Sequence, residues 1–157
     1  MKISARGIGK TLAACLTLLM ACSTSFAGPA STTDRKDILD AARPAISAMA
    51  GQAVKFKVDI LNVDANWAVL VGGLLQADGK PIDWKKAASC NPDLDKMLWV
   101  VLAKADGNWR VAQAEICASE PPYWYISDYL WPCGVYTGLI EGERNLEREC
   151  RGSRKTR

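Results

Sequence analysis

The amino-acid sequence predicts an α+β domain: an N-terminal helix packed on a curved, four-stranded antiparallel meander, followed by an irregular aromatic-rich segment. Three observations carry this expectation. Apolar residues recur at helical spacing over residues 34–51, giving a single buried stripe. The period then changes to two, and four apolar segments follow one another with turn signals between them. A helix with one apolar face must bury it, and the layer that does so economically is the sheet that follows.

Residues 1–27 precede this domain and read as a signal peptide. Lys2, Arg6 and Lys10 form a basic start, residues 11–21 an apolar run, and Ser25 and Ala27 a small-residue cleavage site before Gly28. The run is shorter than the ~20 residues a permanent membrane span requires. Leu19-Met20-Ala21-Cys22 also fits a lipobox with Cys22 as acceptor, which would leave a membrane-tethered lipoprotein instead of a released one. Both processing outcomes imply export, to the periplasm or beyond.

Residues 28–33 form a small-residue leader. Asp34-Arg35-Lys36-Asp37 opens the helix, with Thr33 or Asp34 as its cap. Ile38, Ala42, Ala45, Ile46 and Met49 define the stripe, and Gly51 marks the end. Pro44 lacks an amide hydrogen and disfavours helical geometry at Arg43, so a kink or a division into two helices is expected there.

Val54, Phe56, Val58 and Ile60 alternate with Lys55, Lys57 and Asp59 as a half-buried first strand. A turn at 64–66 leads into the second strand from Trp67, where Gly72-Gly73 offers a bulge or a close backbone approach. Asp78-Gly79-Lys80-Pro81 is a turn cluster, and residues 84–96 are looser and carry Cys90. The third strand spans 97–104, and Asp106-Gly107-Asn108 is a hairpin signal into the fourth, at 109–116. The domain thus covers 34–132, and residues 133–157 form a C-terminal tail.

Asp34-Arg35-Lys36 through Ile38-Leu39-Asp40-Ala41 to Arg43-Pro44, then Val54-Lys55-Phe56, Trp67-Ala68, Gly79-Lys80-Pro81-Ile82-Asp83 and Gly107-Asn108-Trp109-Arg110-Val111 form a combination of motifs. It resembles an uncharacterised family of small exported bacterial proteins with cystatin-like or NTF2-like α+β domains. The resemblance covers about residues 34–132 and implies a fold and a compartment. It carries over no activity and no catalytic residue.

Charge and cysteine content narrow the possible partners. Residues 1–27 hold three of the 20 basic residues and none of the 17 acids, so the rest of the chain is balanced at 17 of each. That lacks the basic excess expected of a nucleic-acid binder. The end of the chain from Glu141 is locally basic and reads as a solvated, frayed terminus. Of six cysteines, Cys15 and Cys22 lie in the signal, which leaves Cys90, Cys117, Cys133 and Cys150. An even number in an exported chain argues for two disulfides. Strand parity brings Cys90 and Cys117 to the same end of the sheet, and Cys133 with Cys150 then closes a local loop. Parity leaves a Cys117 to Cys133 bridge open.

With no histidine in the chain, the Ser-His-Asp and Cys-His arrangements are excluded, and no metal site or cofactor motif is expected. Asp83 or Glu115 with Asp128 are the carboxylates available for acid/base work on a glycan. The most distinctive stretch is residues 121–132, with Tyr123, Trp124, Tyr125, Tyr129 and Trp131. Such rings suit binding surfaces, but they equally suit the core beneath a sheet face. The expectation is that Trp124, Tyr125 and Trp131 are core while Tyr123 and Tyr129 stay exposed. Two readings of function follow: a non-catalytic envelope module that binds a protein, peptide or cell-wall ligand as an inhibitor or accessory factor, and a small glycan-directed enzyme using paired carboxylates.

Overall fold

The computed structural model describes residues 28–88, 90, 93 and 95–155. The expected signal peptide, with Cys22, lies outside the described residues. Helix α1 (Thr32–Ala50) packs on an antiparallel sheet whose strands pair in chain order, β1 (Gly28–Pro29), β2 (Val54–Asp64), β3 (Trp67–Gln76), β4 (Met97–Ala105) and β5 (Asn108–Ala118). The α+β meander is therefore present. The leader adds a fifth, two-residue edge strand to it, with Gly28 opposite Val63. No helix among the described residues is long and apolar enough to cross a membrane.

α1 begins earlier than the acidic cluster suggested. Ser31 caps it: its hydroxyl accepts from the Asp34 amide at 3.1 Å and donates to Asp34 Oδ2 at 2.9 Å. The helix does not divide at Pro44. Ile38 and Ala42 before the proline, and Ile46 and Ala50 after it, are all fully buried against the sheet. That burial, at about 1.5–3 kcal/mol for each large side chain, outweighs one missing hydrogen bond. Gly51 ends the helix in the left-handed conformation at φ 65°.

β2 departs from simple alternation. Val58 pairs with Gly72 and Ile60 with Val71, so Asp59 is an extra residue, a β-bulge. Val54, Phe56 and Val58 face α1, but after the bulge it is Leu61 and Val63 that do so. Ile60, expected on the same side as Val54, turns to the opposite face. The close approach expected at the glycine pair occurs at Gly72, where a Cβ would run into the Lys57 carbonyl oxygen. Asp106 and Gly107 both have positive φ, as the tight β4–β5 hairpin requires.

Two cores result. Ile38, Ala42, Ile46, Leu70, Leu98, Val100 and Leu102 fill the space between α1 and one face of the sheet. On the other face, Val69, Val71, Trp99 and Val101 are covered by the chain after β5. That chain contains α2 (Tyr123–Ile126), a 3-10 turn (Cys133–Tyr136), a hairpin of β6 (Ile140–Glu141) and β7 (Arg144–Asn145), and α3 (Leu146–Lys155). The expected frayed tail is instead a third layer. Leu146 and Cys150 are completely buried within it.

The disulfides are Cys90–Cys117 and Cys133–Cys150, each with Cα atoms 5.6 Å apart. One fastens the loop before β4 to the end of β5, and the other ties α3 to the 3-10 turn. In the chain-entropy picture each contributes about 2–4 kcal/mol. Two disulfides are consistent with a chain secreted into an oxidising compartment.

Candidate functional site

The candidate site is the outer surface of the third layer, and its frame is the aromatic segment. Pro121 and Pro122 turn the chain back after β5, and Pro122 precedes α2. Within α2, Tyr125 points inward and is fully buried. Its ring lies 5.2 Å from Trp99, 5.5 Å from Trp131 in a stacked arrangement and 4.7 Å from Tyr136. Trp124 and Trp131 meet edge to face at 6.0 Å, and Trp131 reaches Trp67 of β3 at 6.3 Å.

The buried phenols of this cluster are hydrogen-bonded, whereas the buried Trp99 Nε1 has no partner among the described residues. Tyr125 Oη donates to the Val135 carbonyl at 3.1 Å, and Tyr136 Oη donates to the Tyr125 carbonyl at 3.1 Å. Burial pushes both phenols well above the ordinary tyrosine range. The layer is bolted to β2 by two side chains that the bulge turns outward. Asn62 Nδ2 donates to the carbonyls of Val135 at 3.3 Å and Thr137 at 2.6 Å, and Asp64 Oδ2 accepts from the Gly134 amide at 2.8 Å.

A polar clamp closes the far end. Arg144 holds Glu149 with Nε and Nη2 and Glu141 with Nη1, and Tyr129 Oη donates to Glu149 Oε2 at 2.6 Å. Tyr129 is pushed up to about 12, first by burial and then by its bond to Glu149, so its hydroxyl remains a donor. Glu149 lies below its ordinary value of 4.5, held there first by Arg144 and then by Tyr129. A carboxyl with a lowered folded pKa contributes its stability in full above the unfolded value and loses it as pH falls through the folded one. Acidification from about pH 6 to pH 3 should therefore destabilise the native protein more than the Glu149→Gln variant. The extra loss should be under about 1 kcal/mol because the cluster is partly solvated. Urea midpoints measured at the two pH values check this, and equal losses would count against the clamp.

The predicted site residues are thus divided by the fold. Tyr125 and Trp131 are core, Trp124 is half-buried, and Tyr129 is engaged in the clamp, in contrast to its expected exposure. Tyr123 is 81% exposed, as expected, and Leu130 joins it at 67%. The carboxylates are dispersed. Asp83 caps the 3-10 turn Trp84–Lys86 on the α1 side of the sheet, where its Oδ1 accepts from the Lys85 amide at 3.2 Å. Glu115 Oε2 accepts from Trp124 Nε1 at 3.2 Å. Glu115 and Tyr123 line one cleft of about 480 Å³, whereas Asp128 and Leu130 line another of about 270 Å³.

Sequence reasoning missed Asn62, Asp64, Tyr136 and Leu146, which hold the layer in place. The polar residues of β2 signalled only a solvent face, and nothing local showed that a distant segment would cover it. No family model, curated protein or solved structure matches the chain. The fold and the site define a disulfide-supported, three-layered α+β domain that exposes Tyr123 and Leu130.

Proposed function

We propose that the chain is a non-catalytic module of the cell envelope that binds a protein, peptide or cell-wall ligand, as an inhibitor or accessory factor. It is exported by way of residues 1–27 and works in the periplasm or outside the cell, released before Gly28 or tethered through Cys22. The order of helix and meander fits the cystatin-like and NTF2-like resemblance.

The observation that carries this reading is the display of Tyr123 and Leu130. Both are large, apolar and mostly exposed, and each sits within two residues of a fully or nearly fully buried ring, Tyr125 or Trp131. Exposed rings on a frame that is already ordered lose little entropy on binding, which is the character of interface anchors. Neither side chain is needed for the core.

The test is affinity capture from envelope extract with the tagged chain, run beside the Tyr123→Ala/Leu130→Asp variant. A ligand retained by the native protein and lost by the double variant, with an unchanged near-ultraviolet circular dichroism spectrum, is the expected result. Equal retention by both proteins would remove this surface from the account.

A further inference from the structure

The cleft beside Tyr123 has a chemistry of its own. Its lining includes Glu115, Ser119, Glu120, Pro122, Tyr123 and Trp124, and it contains about 480 Å³. Among the described residues, two carboxylates and no basic side chain line it. Lys96, next to the Met97 that pairs with Ala118 at the cleft, carries its ammonium toward the other side of the sheet, 5.9 Å from the centre of the Trp84 ring.

The polar groups in the lining are unequal. Trp124 Nε1, an indole donor, is already given to Glu115 Oε2, which fixes the carboxylate beside the ring. What remains for a ligand is carboxylate oxygen, the hydroxyls of Ser119 and Tyr123, and aromatic face. Carboxylates and ring faces both attract cations. An anion would be repelled, and a neutral glycan would meet few free donors.

From this, and resting on the binding function proposed above, the geometry points to a basic peptide segment as the occupant. A lysine ammonium or arginine guanidinium enters between Glu115 and Glu120 and lies against Tyr123 or Trp124. The volume accepts one such side chain together with part of its backbone. Glu120 supplies charge at the mouth, and Glu115 supplies a carboxylate whose orientation is set before the ligand arrives.

The probe is an uncharged-ended tetralysine peptide, titrated into the native chain at low salt while the indole N–H resonance of Trp124 is followed, with Trp124→Phe identifying the signal. Saturable shifts that weaken as salt is raised are expected. Glu120→Gln should weaken binding about tenfold, the usual consequence of losing one charge-assisted contact. Glu120 is exposed and makes no bond that the fold requires, so this variant should remain folded. Glu115→Gln should weaken binding as well while keeping an acceptor for Trp124.

Three results would overturn the inference: no shift of Trp124, an affinity indifferent to Glu120→Gln, or a neutral chitin tetrasaccharide that shifts Trp124 as strongly as the peptide. An envelope ligand captured through Tyr123 and Leu130 but unaffected by Glu120→Gln would also refute the basic occupant, yet leave the binding function standing. Failure of capture together with intact peptide binding would do the reverse.

Discussion

Gly72→Ala should destabilise the domain by about 3 kcal/mol, while Gly73→Ala at the next position should change stability by less than about 1 kcal/mol. Gly72 lies where β3 passes the bulge in β2. A Cβ there would collide with the Lys57 carbonyl oxygen and come within 3.1 Å of the Asp59 amide nitrogen. Both obstacles are backbone, so relief requires β2 and β3 to separate at the point where β2 changes phase. Gly73 has open space around a Cβ and no positive φ, so alanine there only restricts the unfolded chain. Urea unfolding of the two variants makes the comparison, and similar losses for both would show that the bulge does not depend on the close approach.

A second large effect is expected at Tyr125. Tyr125→Ala removes a fully buried ring in contact with Trp99, Trp124, Trp131 and Tyr136, and should cost about 3–5 kcal/mol. Tyr125→Phe keeps the ring and loses only the hydroxyl. The Val135 carbonyl retains its bond from Asn62, so about 1 kcal/mol is expected for that change. The alanine variant should also flatten the near-ultraviolet circular dichroism and become sensitive to proteolysis within residues 119–155, because the ring is the centre of the third layer. Resistance to protease in that stretch would show that the layer is held by its disulfide and polar contacts alone.

Both experiments probe the same architectural fact, that the sheet is covered on two sides. Hydrophobic strands β3 and β4 carry it in their composition: Val69, Leu70 and Val71, and likewise Leu98, Trp99, Val100 and Val101, are buried in succession. An unbroken apolar run means that both faces need cover. α1 supplies one cover, and the segment after β5 supplies the other. The aromatic segment is therefore divided between support and display, with Tyr125 and Trp131 inside and Tyr123 and Leu130 outside.

The sequence by itself determined the order of the helix and four strands, the helix stripe through Ile38, Ala42 and Ile46 and the tight turn at Asp106-Gly107, and it offered a bulge or a close approach at the glycine pair. It also pointed to the cysteine pairing that the structure contains. These are local or nearly local matters, set by periodicity, turn chemistry and strand parity, and their signals lie within a few residues of the feature they specify. Tertiary structure alone decided the side to which Ile60 turns, because a single inserted residue at Asp59 reverses the alternation and only pairing with β3 fixes where the insertion falls. It also decided that residues 133–155 form a layer, where a disulfide-tied tail with a frayed end from Glu141 was expected. Their apolar residues are few, and their charges satisfy one another in the clamp around Glu149. What holds them is burial against Val69, Val71 and Trp99 and the bonds from Asn62 and Asp64, which span 73 and 70 residues of sequence. A periodicity argument sees each partner of such a contact alone, and each alone resembles an ordinary surface or an ordinary strand.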